Sequence, residues 1–151
     1  MRLAGAAAAL GLVASAVLHA IWVFSPWPLS SWADWSRAFG GPGFRVPDTE
    51  VTVVAVLFAA AAYTVAARAT LVPQIGPSWI YWLGTWVVAA LLLGRAVEGW
   101  FEKALTLANN ATPGAWRHTF RLYLLLYLPL FALFGGLSAY VAVKARRHRG
   151  L

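Results

Sequence analysis

The chain has 151 residues, of which 61% are hydrophobic and only 11% are charged, and its mean hydropathy is +0.68. Soluble domains usually carry about 25% charged residues, so this composition predicts a membrane protein. The net charge of +7 would favour nucleic-acid binding in a soluble protein, but in a membrane protein it indicates topology, and we expect no nucleic-acid partner. Because the chain has no cysteine, disulfides, thiolate nucleophiles and cysteine-ligated metal sites are excluded.

Four apolar segments are long enough to cross a bilayer, which takes roughly 20 residues each. They predict an all-α integral membrane four-helix bundle, formed by a single domain over residues 1–151, with helices at about 3–24, 50–71, 79–100 and 120–143. The first segment also resembles a secretory signal peptide. It is longer than a usual signal core, and we expect it to be retained as a helix.

Small residues form a stripe along the first helix. Ala7, Gly11 and Ser15 lie four apart, a spacing that lets a neighbouring helix approach closely. His19 continues the stripe and is therefore predicted to face protein rather than lipid.

Local features are also predicted in the second and fourth helices. Asp48 or Thr49 is predicted to cap the second helix with its side chain. In the fourth helix, Pro129 predicts a kink and the pair Gly135-Gly136 predicts close packing.

The charges are unevenly divided between the two sides of the predicted bundle. One side carries basic residues and no acidic ones: Arg2, Arg68, Lys144, Arg146, Arg147 and Arg149. The other side carries every acidic residue: Asp34, Asp48, Glu50, Glu98 and Glu102. The positive-inside rule therefore predicts that both termini are cytoplasmic and that the loop rich in Trp, Gly and Pro between helices 1 and 2 lies outside. Since the composition suggests a bacterial genome, we expect a multi-pass protein of the bacterial cytoplasmic (inner) membrane.

The candidate chemistry lies near the predicted outer face. Arg95 and Glu98 are three residues apart and hence on one helix face, and charged groups at that depth usually face the bundle or a wet cavity. They either fasten helix packing as a pair, or Glu98 acts as an acid or base that Arg95 orients. His19 lies at a similar level, so the predicted catalytic set is Glu98, His19 and Arg95. The predicted pocket walls are Trp22, Trp27, Trp100 and Arg121.

Two other sets of residues near the same face could ligate a haem or a metal ion. His19 and His118 lie on different helices near one level, as the two ligands of a b-type haem would. A metal site could also be formed by His19, Glu98, Glu102 and His118, but these residues do not occur at the short spacing of a known metal-binding motif. We therefore expect no metal and no cofactor.

Short motifs along nearly the whole chain resemble one family. They are Leu18-His19-Ala20-Ile21-Trp22, then Trp27-Pro28, Gly43-Phe44-Arg45-Val46-Pro47, Leu93-Gly94-Arg95-Ala96-Val97-Glu98 and Tyr127-Leu128-Pro129-Leu130. Their order resembles that of the small bacterial membrane proteins called domain of unknown function 3995. The resemblance implies a four-helix membrane fold and points to His19, Trp22 and Arg95, and it implies no established activity.

Three functional hypotheses follow. The first is binding or acid–base processing, of an isomerisation or cyclisation type, of a small lipophilic molecule at the outer end of the bundle. The second is a non-catalytic accessory or assembly subunit of a larger membrane complex, and the third is haem or quinone binding. The expected partners are the lipid bilayer, a lipophilic small molecule, and a membrane-protein partner or a second copy of the chain.

Overall fold

The computed structural model describes residues 1–39, 45–108 and 123–147, and within these ranges it is helical and contains no strand. The elements are α1 (Arg2–Trp22), α2 (Trp32–Phe39), α3 (Asp48–Arg68), α4 (Ser78–Ala108), a π-helical turn (Tyr123–Tyr127) and α5 (Leu128–Arg147). Four spans are long and apolar enough to cross a membrane: Arg2–Trp22, Asp48–Arg68, Ser78–Glu102 and Leu124–Ala145. The predicted all-α fold with four membrane helices is confirmed, and the chain is a membrane protein.

The long helices form a closed ring in the order α1, α3, α4, α5. The largest interfaces join α1 to α3 and α4 to α5, and smaller ones join α1 to α5 and α3 to α4. Helices α1 and α4 therefore face each other across the diagonal. We call the end of the bundle that holds Arg2, Arg68 and Lys144 the basic end, and the end that holds Trp22, Asp48 and Glu98 the mixed-charge end.

Small side chains let the helices approach closely in the core. The buried centre consists of Ala8, Leu12, Ala62, Val65 and Leu92. The close packing predicted for the glycine pair holds at its first member, since a Cβ on Gly135 would press against Leu93 and Leu92 of α4, whereas Gly136 faces open space.

The predicted small-residue stripe of α1 is correct only in part. Gly11 lies against the ring of Phe134 in α5, and His19 contacts the ring of Phe58 in α3, but Ala7 is exposed. Each step of four residues turns about 40° beyond a full circle, so a run of such steps leaves one face. Gly5 makes the close approach in the first turns instead, against Ala69.

Helix α4 continues past its predicted end near Trp100 and runs to Ala108, over 31 residues. At about 1.5 Å per residue it is roughly 46 Å long, well beyond the roughly 30 Å of a bilayer's hydrocarbon core. The predicted end corresponds to the length of a membrane span, but a helix can extend beyond the bilayer. Because Ala and Leu favour helix and no Gly or Pro intervenes between 100 and 108, the backbone hydrogen bonds continue into the aqueous region.

The segment predicted as an outer loop contains the short helix α2. Ser31 caps its start: the Asp34 N–H donates to Ser31 Oγ at 3.1 Å, and that hydroxyl donates to the Asp34 carboxylate at 2.8 Å. The cap satisfies one of the amide groups that the first turn of a helix leaves open. Polar residues in this segment thus start a helix rather than only marking a loop.

The predicted side-chain cap of α3 is wrong. The residue before the helix is Pro47, and no side chain caps the helix start. Asp48 is itself the first helical residue, and its carboxylate accepts a hydrogen bond from Arg45 at 3.2 Å. Asp48 and Glu50 still place negative charge in the first turn, where the helix dipole favours it.

The irregularity predicted at Pro129 takes the form of the π-helical turn that ends just before α5. Proline has no N–H, and its ring clashes with the carbonyl four residues earlier in a regular α-helix. A wider turn accommodates the ring while the chain stays helical, so α5 runs through Pro129 without a break.

Candidate functional site

His19 lies one turn from the end of α1 and is held in one orientation. Its Nδ1 lies 2.8 Å from the carbonyl oxygen of Ser15. Its ring centroid lies 4.9 Å from that of Trp22 and 5.2 Å from that of Phe58. Since a carbonyl oxygen only accepts, Nδ1 carries a hydrogen, and in the neutral form of the ring Nε2 then has the free lone pair. No residue in the described ranges forms a hydrogen bond with Nε2.

Trp22 anchors the aromatic cluster next to His19. It is 6% exposed, and its indole N–H donates to the carbonyl of Trp27 at 2.9 Å. The ring of Trp35 in α2 meets it edge-on at 5.7 Å, and Val51 of α3 packs on the same cluster. Trp22 is therefore a packing centre that holds α2 against α1 and α3, whereas the Trp27 side chain is 58% exposed.

Arg45 ties the segment before α3 to α2. Its guanidinium lies 4.7 Å from the ring centroid of Trp32 and forms an ion pair with Asp48 at 3.2 Å. Both side chains of the pair are more than half exposed. Exposed pairs of this kind contribute little stability, so the packing of Trp32 and Trp35 carries most of the attachment.

Arg95 and Glu98 come together as the helical spacing predicts. Arg95 Nη1 lies 2.7 Å from Glu98 Oε2, and the two side chains are 46% and 66% exposed. Trp100 follows on the same helix and is 48% exposed. Because α4 lies diagonally opposite α1, this pair and His19 are carried by diagonally opposite helices. That the three residues act on one molecule stays a prediction.

The remaining candidates fall into two groups. Arg121 and His118 lie outside the described residues. The haem hypothesis needs His118 and therefore stays a prediction. Glu102 is an exposed residue of α4. Among the residues that the structure describes, no group of three or more His, Cys, Asp and Glu side chains is placed to hold a metal ion.

Phe58 and Trp35 also belong to the surroundings of His19, and no sequence motif marks either residue. The buried and half-buried positions Val51, Ala55, Phe58, Ala62 and Val65 of α3 recur every three to four residues, and this period marks the buried face. The sequence alone does not mark this face, because residues 53–62 are all apolar. The position of Trp35 depends on where α2 folds back.

The protein family of unknown function DUF3995 matches residues 12–138 of the chain. The chain belongs to this family. The resemblance drawn from the short motifs is thus confirmed, and the matched range includes His19, Arg95 and Glu98. No curated protein and no solved structure shows significant similarity to the chain.

Proposed function

We propose that this DUF3995 protein binds a small lipophilic molecule at the mixed-charge end of the bundle and acts on it by proton transfer, of an isomerisation or cyclisation type. The observation that carries the proposal is the 2.8 Å contact between His19 Nδ1 and the Ser15 carbonyl. This contact leaves Nε2 as a proton acceptor beside the rings of Trp22 and Phe58. An oriented base in apolar surroundings suits a hydroxyl or an activated C–H of a lipophile.

The second half of the proposed site is the ion pair on α4. Glu98 holds Arg95 in place, and a guanidinium held in this way can bind an oxygen atom or an anionic group of the molecule. In this proposal Glu98 also acts as acid or base. Exposed indoles, Trp27 on α1's side and Trp100 on α4, are proposed as walls, and Arg121 of the same predicted set lies outside the described residues.

Two substitutions of His19, each of which keeps a polar group near one of the two ring nitrogens, test the proposal. His19→Asn keeps a side-chain N–H near the position of Nδ1 and removes the acceptor at Nε2, whereas His19→Gln places a carbonyl oxygen near Nε2. Each protein is purified from native membranes in mild detergent, and lipophiles extracted from it are identified by mass spectrometry. We expect the wild type to carry a lipophile, His19→Asn to lose it, and His19→Gln to keep part of it.

Ser15→Ala is the control, because it removes a hydroxyl that donates to the Gly11 carbonyl and leaves the Ser15 carbonyl in place. We expect it to bind as the wild type does. The proposal is overturned if folded His19→Asn protein retains the same lipophile in the same amount, or if folded wild-type protein carries none.

A second candidate function, that of an accessory subunit, is favoured by the far end of α4. Leu105, which is 49% exposed, lies beyond the membrane-capable span that ends at Glu102, and Phe101 at the end of that span is 67% exposed. Apolar surface in that position suits contact with another membrane protein. Purification from native membranes in mild detergent distinguishes the two functions, because a stable heteromeric complex supports the subunit and a lone species with a bound lipophile supports the site.

A further inference from the structure

Three helices converge on one point at the basic end. A Cβ added to Gly5 of α1 would overlap the side chain of Ala69, which follows α3, and would lie 3.6 Å from Val141 Cγ2 of α5. Ala69 and Val141 are both fully buried. The start of α1, the end of α3 and the last part of α5 therefore form one packed corner.

Each of these helices places a basic residue within one turn of that corner. Arg2 lies three residues before Gly5, Arg68 precedes Ala69, and Lys144 lies three residues after Val141. Arg2 is exposed, Lys144 is half-buried and Arg68 is 4% exposed. The Arg2 guanidinium reaches the end of α3, and Lys144 Nζ lies 6.0 Å from the centroid of the Tyr140 ring on its own helix, so the corner gathers basic residues from three helices.

No acidic side chain lies at that end. All five aspartates and glutamates of the chain are in α2, in the first turn of α3 or in the second half of α4. Those positions belong to the mixed-charge end, about one bilayer thickness away. The corner therefore has a local positive charge that attracts anions at the membrane surface.

Thr70 forms a hydrogen bond with Arg2 and has a strained backbone conformation. Its φ is +62°, a left-handed conformation that is disfavoured for a β-branched residue. It ends α3 through hydrogen bonds from Thr70 N–H to the Ala67 carbonyl and from Leu71 N–H to the Ala66 carbonyl, an arrangement in which glycine is usual.

Threonine supplies at this position a hydroxyl that glycine lacks. Thr70 Oγ1 accepts a hydrogen bond from Arg2 Nε at 3.3 Å. This fixes the Arg2 guanidinium at the end of α3, and its Nη groups form no hydrogen bond within the described ranges. The arginine is oriented and still has donors to offer.

We propose that this corner binds the phosphate group of an anionic phospholipid. Arginine donors match phosphate oxygens in paired hydrogen bonds, and Lys144 adds charge from the neighbouring helix. Leu3 and Leu71, which are 87% and 40% exposed, offer apolar surface beside the corner for acyl chains. The ligand is a lipid rather than a soluble phosphate because the cations lie at the ends of membrane helices.

The test uses the purified full-length chain with phosphatidylglycerol, phosphatidylcholine of the same acyl chains, or inorganic phosphate. Lipid retention is measured by native mass spectrometry, and thermal unfolding is recorded in parallel. We expect tighter binding of phosphatidylglycerol, and about fivefold weaker binding for each charge removed by Arg2→Gln or Lys144→Gln. Arg45→Gln, which removes an exposed charge at the mixed-charge end, is the control and leaves the preference unchanged.

Thr70→Gly separates binding from folding. Glycine suits the left-handed conformation, so the variant should fold while losing the hydroxyl that orients Arg2, and its phosphatidylglycerol affinity should fall. Three results would each overturn the proposal: equal retention of both lipids by the wild type, an unchanged preference in folded Arg2→Gln and Lys144→Gln proteins, or equal stabilisation by inorganic phosphate. The wild-type comparison decides the matter even where a variant does not fold.

Discussion

The connection between α3 and α4 at the basic end is short, and hydrogen bonds to its own backbone hold it. Tyr81 accepts a hydrogen bond from the Ile75 N–H and donates to the Ile75 carbonyl, each at 2.7 Å, and Tyr63 donates to the Pro73 carbonyl at 2.9 Å. Gln74 donates to the Ala67 carbonyl at 3.0 Å. Several hydrogen bonds of similar length thus hold the connection at this end.

The connection between α1 and α3 at the mixed-charge end is longer and contains a helix of its own. Its attachment depends on the buried rings of Trp22 and Trp35, and its ion pair between Arg45 and Asp48 is exposed. The difference teaches that a tight turn can be held by side-chain hydrogen bonds to its main chain, whereas this longer connection is held by the packing of aromatic rings. The mixed-charge end should therefore depend on single residues more strongly than the basic end does.

The largest effect is expected for Trp22→Ala. Removing a buried indole leaves a cavity, and we expect the free energy of unfolding to fall by about 3 to 5 kcal/mol. Thermal unfolding in detergent measures the change. Trp79→Ala, at a residue that is 60% exposed near the basic end, is the matched control and should lower the stability by less than about 1 kcal/mol. Equal losses for the two variants would contradict the contrast between the ends.

A smaller effect is expected for Tyr81→Phe. It removes the hydroxyl that pairs with both backbone groups of Ile75, and we expect a loss of about 1 to 3 kcal/mol. Tyr63→Phe removes one bond at an exposed side chain and should lower the stability by about 0.5 to 1 kcal/mol. Hydrogen exchange at the Ile75 amide should accelerate in Tyr81→Phe alone, and equal acceleration in both variants would show that Tyr81 does not hold this amide by itself.

The smallest effect on stability is expected for Glu98→Gln. The ion pair with Arg95 is largely exposed, so we expect a change within about 0.5 kcal/mol. In the proposed site the same variant should carry less lipophile after purification, which mass spectrometry of the extract measures. A large loss of stability would instead assign the pair to helix packing, the alternative that the sequence left open.

Much of the fold could be predicted because it depends on local properties. Runs of apolar residues long enough to span a bilayer gave the four membrane helices, and helical spacing alone brought Arg95 next to Glu98. The inward orientation of His19 followed from the residues before it. The extent of α4 and the cap of α3 were predicted wrongly, because membrane thickness does not end a helix and because Pro47 shifted the helix start by one or two residues.

The grouping of the candidate site could not be predicted, because it depends on the order of helices around the ring. Similar faces of Ala, Val and Leu can pack against one another or against lipid tails with little difference in hydrophobic free energy. The sequence therefore does not indicate that α1, which carries His19, and α4, which carries Arg95, lie on a diagonal of the ring.

The sequence by itself determined that this is a four-helix membrane protein with basic residues alone at one end and mixed charge at the other, since both features depend on residues close together along the chain. Only the tertiary structure decided that Trp22 is a buried anchor beneath α2, that His19 lies against Phe58, and that α1, the end of α3 and α5 meet at Gly5. These contacts join residues that are far apart in sequence. They form because the helices pack closely at Gly5 and because the long connection folds over Trp22.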